Sequence, residues 1–477
     1  MKNIFKIFAI LVLAASVSAC SEDFIQRDRP LVMNEAIIYS DAGYIESALL
    51  GCYSVFKSSS PSFMGGLAYV VFDSRGDDIV NVSNPVTMQN TYEMKVLPTE
   101  TENNRIWNYA YYTINACNIF IDNLAKYNCS EVLGDDLYKQ YVAEAKFLRA
   151  YCYYVLVNLY SQPYKLDPDA PAVPLRLTGL VSAGNNDCPL STISTIYGQI
   201  LADCVVADLP DAFDSEGKLT RDGVTRATAA AAHMLRMRVY MAEEDWDNAI
   251  TEGTAITGYE LVADVTKLYG KDTYKENKEI IFALPMSTQD SPNTQMSAAE
   301  YFCAKASVAH LDTEAGILSK AGYNNVKDQR ISKLVSDPDG NGFVYSLKFV
   351  DYGQKLDWIP LMRYAETKLN LAECYANQPT GTAQAKAALK DVRSRSVAAA
   401  DDVFSVDGLT GGALATAVYN ERRLEFICEG MRGIDIIRRG ESFVKKNTAV
   451  DITVAPTDNY YTWPITETEK QYNKALK

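Results

Sequence analysis

Histidine is nearly absent from this chain, with only His233 and His310 among 477 residues. The commonest general base and metal ligand is therefore scarce. His233 sits in an Ala-rich helical stretch that suits a packed or surface residue better than a base. The sequence contains no HExxH, GxSxG, P-loop or dinucleotide-binding glycine pattern. SxxK occurs at Ser54–Lys57 and Ser215–Lys218 without companion motifs, at chance frequency. Positive charge is also short: 46 Lys and Arg face 60 Asp and Glu, for a net charge of −14. That argues against nucleic acid, whose phosphates need a basic surface, and disfavours simple adhesion to anionic lipid. Tryptophan numbers four while tyrosine reaches 31. Most of these tyrosines belong in helix–helix interfaces, and the rest suit sugar or peptide ligands, since each pairs a flat apolar face with a hydroxyl. With so many acids a glycosidase carboxylate pair is possible on composition alone, but nothing in the pattern singles one out.

The first twenty residues are of another kind. Lys2 and Lys6 precede an apolar run from Ile7 to Ala15, too short to span a bilayer comfortably, and Val17-Ser18-Ala19-Cys20 follows. Small residues before a cysteine resemble the bacterial lipobox. The expectation is a lipoprotein signal peptide over 1–19, lipid attachment at Cys20, and an extended tether over 20–39. Several acyl chains on one residue anchor stably, at about 0.8 kcal/mol per buried methylene. The acidic Ser21-Glu22-Asp23 resembles the export signal of Bacteroidetes surface lipoproteins. Nine further cysteines form no CxxC pair. Cys117, Cys152, Cys374 and Cys428 fall within apolar helical patterns and read as small buried hydrophobes, not a disulfide frame or a zinc site. No other run is long and apolar enough to cross a membrane.

Helical periodicity dominates what remains. Ser40-Asp41 can cap a helix carrying Tyr44, Ala48, Cys52 and Val55. Trp107, Tyr111, Ile114 and Ile121 share one face, with Asn118 a turn on from Ile114. Leu137, Tyr141, Ala145, Leu148, Cys152, Leu156 and Leu159 step by three or four, with Lys139, Lys146 and Arg149 off that row. A helix is expected over 191–213, capped by Ser191 or Thr192. The stretch 224–257 reads as a helix–turn–helix, and the Ala-rich first face lets helices approach closely. Leu361, Ala365, Leu369, Ala372 and Ala376 mark one more helix face, 383–396 its partner, and 413–440 a last, charge-rich helix. There Glu429 and Arg432, three apart, are placed to pair directly. We read these charges as a network tying the helix to the body, since half-buried charges need partners.

Two stretches, 60–104 and 258–358, lack strong helical periodicity. Within the second, EIIFALPMS and FVYSLKFV read as strands, and DPDGNG (337–342) as a plain turn, because it lacks calcium-ligand spacing and a distal Glu. Long irregular stretches in a helical domain are usually functional or disordered. Ligand contacts are therefore expected from Tyr69, Phe72, Asp73, Arg75, Asp78, Asn81, Gln89, Asn90 and Tyr92 in the first, and from Gln289, Asn293, Tyr301, Tyr323 and Asn324 in the second. Aromatic faces stack on sugar rings, and Asp, Asn, Gln and Arg reach hydroxyls.

Cys20 with its SEDF, WNYAYYTINACN, VAEAKFLRAYCYYVLVNLY, MRYAETKLNLAECYAN, NERRLEFICEGMRGIDIIRRG and YTWPITETEKQYN, in that order, resemble the SusD/RagB family of Bacteroidetes outer-membrane lipoproteins. The resemblance implies a mostly α fold: one domain over 40–477 with four tetratricopeptide-like helix pairs, a few short strands and an irregular, loop-rich ligand-facing side. It implies a non-enzymatic role without cofactor or metal, in which an outer-membrane lipoprotein facing the cell exterior binds oligosaccharides as the lid of a SusC-like TonB-dependent transporter. The same lid role for peptides, or an envelope scaffold with no small ligand, remain alternatives. The charge-rich 421–439 segment is one of the family's scaffold motifs, which strengthens its structural reading.

Overall fold

The structure is a computed structural model that describes residues 34–58, 62–81, 88–182, 184, 186–220, 223–270, 277–292, 297–306, 308–448 and 450–476. The expected signal peptide, Cys20 and Asn293 lie outside the described residues, as does most of the tether. Its last residues, 34–39, are not extended: Asn34 caps a single helical turn, Glu35–Ile38.

Helices carry the architecture. Asp41 caps α1 (Ala42–Lys57) by accepting from Gly43 and Tyr44 N–H, as expected. Then come α2 (Leu67–Arg75), α3 (Thr101–Lys126), α4 (Asp135–Tyr160), α5 (Ile193–Asp203), α6 (Ala229–Ala242), α7 (Trp246–Ala255), α8 (Tyr364–Ala376), α9 (Thr382–Ser396), α10 (Gly411–Glu425), α11 (Arg432–Arg438) and α12 (Glu467–Tyr472). Packing follows chain order: α3 on α4, α6 on α7, and α8 on α9 form antiparallel-type hairpins, while α1 covers α3 and α10 covers α8. This is the mostly α, helix-pair fold expected. From Tyr141 onward α4 is almost wholly buried and forms the centre of the main core. Cys117, Cys152, Cys374 and Cys428 are buried free thiols.

The strands are short and come in antiparallel pairs: β1 (Ile79–Asn81) with β5 (Ala309–Leu311), β2 (Pro171–Pro174) with β3 (Leu190–Thr192), β4 (Ile280–Leu284) with β8 (Ile359–Arg363), β6 (Val335–Ser336) with β7 (Tyr345–Ser346), and β9 (Phe443–Lys446) with β10 (Asp451–Val454). Asp337 closes the 337–342 turn by accepting from the N–H groups of Asn341 and Gly342.

Further expectations are corrected, among them Leu361, which lies in β8 and not on the face of α8. The 60–104 stretch is not irregular throughout, because α2 crosses it with all nine residues buried. A helix surrounded on every side shows no amphipathic period, so the sequence hides it. The helix expected over 191–213 ends at Asp203, with Thr192 as its cap. The charge-rich segment is two helices, not one. Between α10 and α11 the chain turns through Cys428 (φ 63°) and Gly430 (φ 71°). A side chain at Gly430 would meet Tyr69 Cα at 2.9 Å, so glycine allows both the left-handed turn and the close approach to α2.

That turn redirects the charges. Glu429 does not pair with Arg432. It accepts from Arg363 Nε at 2.9 Å and from Lys348 Nζ at 2.5 Å, while Arg432 reaches Asp77 of the α2–β1 connection. Arg363 also holds Glu279 and Glu425, and Arg395 bridges the same two carboxylates. Arg330 and Arg393 converge on Glu421. All of these groups are buried except Asp77, Arg395 and Arg432, which are half-buried, and they join α9, α10 and β8 to the segment preceding β4. Buried ions need such company, since each alone would cost several kcal/mol of desolvation.

Candidate functional site

Most residues expected to touch ligand lie inside this framework. Tyr69, Phe72, Asp73, Arg75, Asp78, Tyr92, Tyr301 and Tyr323 are buried. Tyr69 OH donates to Pro360 O. Asp73 accepts from Gly430 N at 2.9 Å and Arg432 N at 3.3 Å, and burial pushes its carboxyl up to about 7. Arg75 donates to backbone oxygens of Asn158 and Tyr461 and lies over Phe443. Asp78 accepts from Ile317 N and binds Arg423. Tyr92 lies under Lys445 Nζ, and Tyr323 OH donates to Ala417 O at 3.2 Å. Asn81 Nδ2 donates to Gln89 Oε1 at 3.3 Å, Gln89 to Glu93 and Asn90 to Glu100. Gln289 and Asn324 are exposed. Loop-like composition here reflects buried polar contacts that fasten α2 and its neighbours to α10 and α11.

A groove opens elsewhere, on the outer face of α3. It encloses about 290 Å³ and is lined by Trp107, Asn108, Tyr111, Tyr112, Ile114, Asn115 and Asn118 of α3, by Arg176, Leu180 and Asn186 of the β2–β3 connection, and by Thr468, Glu469 and Tyr472 of α12. Helical spacing builds the first wall. Asn115, Asn118 and Asp122 step by three and four along one side of α3, and each holds the same loop. Asn115 exchanges two hydrogen bonds with the backbone of Leu180. Asn118 Nδ2 donates to the carbonyls of Arg176 and Thr178, at 3.1 and 3.2 Å. Asp122 accepts from Gly179 N at 2.7 Å. Gly179 lies so close to α3 that a Cβ would meet Ile119 at 2.7 Å. Asn118 is oriented from beneath by Arg149, which donates to its Oδ1 at 2.6 Å and binds Asp203 through two further N–H groups.

The other wall is the C-terminal helix. Thr466 caps α12 by accepting from Glu469 N. Asn103 Nδ2 donates to Pro464 O at 2.9 Å, Trp463 N donates to Leu159 O at 2.7 Å, and Asn473 exchanges two hydrogen bonds with the backbone of Cys188. The helix is thereby clamped against α3, α4 and the β2–β3 connection. Across the groove floor, Glu469 accepts from Arg176 Nη2 at 3.1 Å, from Asn473 Nδ2 at 2.8 Å and from the Trp107 indole N–H at 3.4 Å. Trp107 is buried, with its ring 4.9 Å from that of Tyr111. At the rim Tyr112 and Tyr472 are 59% and 70% exposed. Two open aromatic faces thus stand beside a fixed set of amide, guanidinium and carboxylate groups, an arrangement that can stack on a flat apolar ligand face and hydrogen-bond its polar edge.

Neither histidine belongs to the groove. His233 Nδ1 lies 2.6 Å from Glu252, and His310 packs on Phe343. Among the described residues no group of His, Cys, Asp and Glu could hold a metal ion, and no helix is long and apolar enough to cross a membrane. Trp107, Tyr111 and Asn118 were visible in the sequence as one helix face. Glu469 and Tyr472 carry no such signal, because nothing local links the tail to a helix some 360 residues earlier.

The scaffold and groove define a class: a helix-pair protein with a ligand-sized cleft. The particular family follows from its relatives. Residues 324–477 match the SusD family model, and residues 68–241 match one described as "Starch-binding associating with outer membrane". A crystal structure of a SusD superfamily protein from Bacteroides fragilis is 47% identical in sequence, covers 92% of this chain and 99% of its own, and superposes with a TM-score of 0.86. The chain belongs to the SusD superfamily. SusD-like protein P25 of Formosa agariphila is 23% identical over 91% of this chain and 90% of its own. A structure titled a putative sugar binding protein, from Bacteroides vulgatus, is 23% identical, covers 92% and 98%, and has a TM-score of 0.77.

Proposed function

We propose that this chain is a cell-surface lipoprotein that captures oligosaccharides and delivers them, as a lid, to a SusC-like TonB-dependent transporter. The observation that carries the binding half is the α3–α12 groove, where the exposed rings of Tyr112 and Tyr472 flank the Arg176–Glu469 pair. Sugar rings offer an apolar face for stacking and hydroxyls at their edges, and the groove supplies a partner for each. The matched model's description as starch-binding and outer-membrane-associated supports the same reading. Function is capture, not catalysis. The only carboxylate lining the groove among the described residues is Glu469, and three hydrogen bonds already hold it in place.

Lipidation at Cys20 would keep the protein on the membrane beside its transporter, raising effective concentration without new contacts. A glycan array followed by calorimetry tests the ligand class, with peptides as the competing set. Binding of peptides alone would replace the carbohydrate reading. Radiolabelled palmitate incorporation that is lost in Cys20→Ala tests the anchor, and co-purification of a TonB-dependent transporter tests the lid role.

A further inference from the structure

The groove is electrically closed. Its only charged lining residues among those described are Arg176 and Glu469, and they are paired to each other at 3.1 Å with side chains 14% and 12% exposed. Glu469 cannot swing away, because Asn473 Nδ2 and the Trp107 indole hold its two oxygens. Arg176 Nη2 is shared between Glu469 and Asn186 O at 2.9 Å, and its ring-stacking side lies over Tyr111. Among the described residues Arg176 Nε and Nη1 have no hydrogen-bond acceptor, so the pair still presents donors beside the open lone pairs of a carboxylate.

We propose that the groove selects uncharged oligosaccharides, and that Glu469 is the residue that sets this selection. This rests on the reading of the groove as a glycan site. A pair of neighbouring hydroxyls can accept from Arg176 and donate to Glu469 at once, satisfying both sides of the pair. A sugar carboxylate or sulfate can only accept. It would gain Arg176 but face the fixed Glu469 carboxylate within a few ångströms, in a chain whose net charge of −14 repels it further. Glu469 thus blocks the one cation an anionic glycan would use.

Calorimetry on the full mature chain tests this with maltoheptaose, xylohexaose and mannohexaose as uncharged probes, and hexagalacturonate and a chondroitin sulfate hexasaccharide as anionic ones. The wild type is expected to bind at least one uncharged probe and neither anionic one. Glu469→Gln removes the charge and keeps one carbonyl acceptor for Asn473 and Arg176, at the expense of the long 3.4 Å bond from the Trp107 indole. It should weaken the uncharged probe severalfold and shift the anionic-to-uncharged affinity ratio by about tenfold or more toward the anionic probe. Adding Arg176→Gln should abolish that gain.

Should Glu469→Gln not fold, salt supplies the second measurement. Raising NaCl from about 0.05 to 0.5 M should leave uncharged binding to the wild type within about twofold. Anionic binding by the wild type equal to uncharged binding, lost in Tyr112→Ala, would overturn the selection while keeping the glycan site. Absence of all glycan binding would overturn the site itself.

Discussion

Arg149 Nη1 donates to Asn118 Oδ1 at 2.6 Å, so the buried Arg149–Asp203 ion pair ends on the wall of the ligand groove. The same Asn118 uses its amide N–H groups to hold the carbonyls of Arg176 and Thr178. One buried cation in α4 therefore fixes the loop that carries Arg176.

Asn118→Ala should loosen that loop. It removes two bonds to the loop backbone and leaves an Arg149 N–H without its acceptor, which costs about 1–3 kcal/mol. Glycan affinity should fall by about threefold to tenfold, and amide exchange across 176–180 should speed up. Denaturant unfolding, calorimetry and hydrogen exchange check the three parts. Unchanged exchange with lost binding would mean that Asn118 contacts ligand directly.

Glu429→Ala should act on stability alone. It strands the buried Lys348 and part of the Arg363 guanidinium, a loss on the order of 3–5 kcal/mol. Arg432→Ala should act in the same direction but less strongly, because Asp77 loses Arg432 and keeps Arg423. The check is a lowered urea midpoint, with glycan affinity per folded molecule unchanged. A stable variant that loses binding would return the charged segment to the ligand site.

Asp73 and Glu425 should give opposite pH signatures. Burial raises Asp73 from 3.8 to about 7 in the folded chain, so folding takes up a proton there. Its contribution is complete below about pH 4 and is lost as pH rises to about 7. For Glu425, burial pulls upward, but Arg395, Arg363 and Arg330 outweigh it and hold the carboxyl well below its usual range. Its contribution is present above the ordinary carboxylate range and is lost as pH falls through the folded value. Melting curves from pH 4 to 8 should therefore show wild type losing stability relative to Asp73→Asn as pH rises, by a few kcal/mol at most. A difference that does not change with pH would contradict the raised carboxyl.

The scaffold was legible where helices are long. The stepping of apolar residues marked α1, α3 and α4, even though α4 is almost wholly buried from Tyr141 onward, and the charged segment is a structural network. A short helix buried on every side was illegible: α2 has nine residues, and its Asp73, Ser74 and Arg75 are interior polar groups that look like loop residues. The same confusion sent most of the expected ligand contacts into the core. Glu429 and Arg432 have the spacing of a helical pair, but the left-handed turn at Cys428 and Gly430 sends each to a different partner. The groove itself joins α3 to the tail, and a contact that distant leaves no period in the sequence.

Capture of glycans by the rim tyrosines of the α3–α12 groove is tested most directly by calorimetry of Tyr112→Ala, Tyr472→Ala and the double variant. Both rings are exposed, so melting temperature should stay within about 2 °C of wild type. Each loss of stacking should cost about 1 kcal/mol, roughly fivefold in affinity, with a larger loss in the double variant. A folded double variant that binds the same oligosaccharide as tightly as wild type would contradict the account.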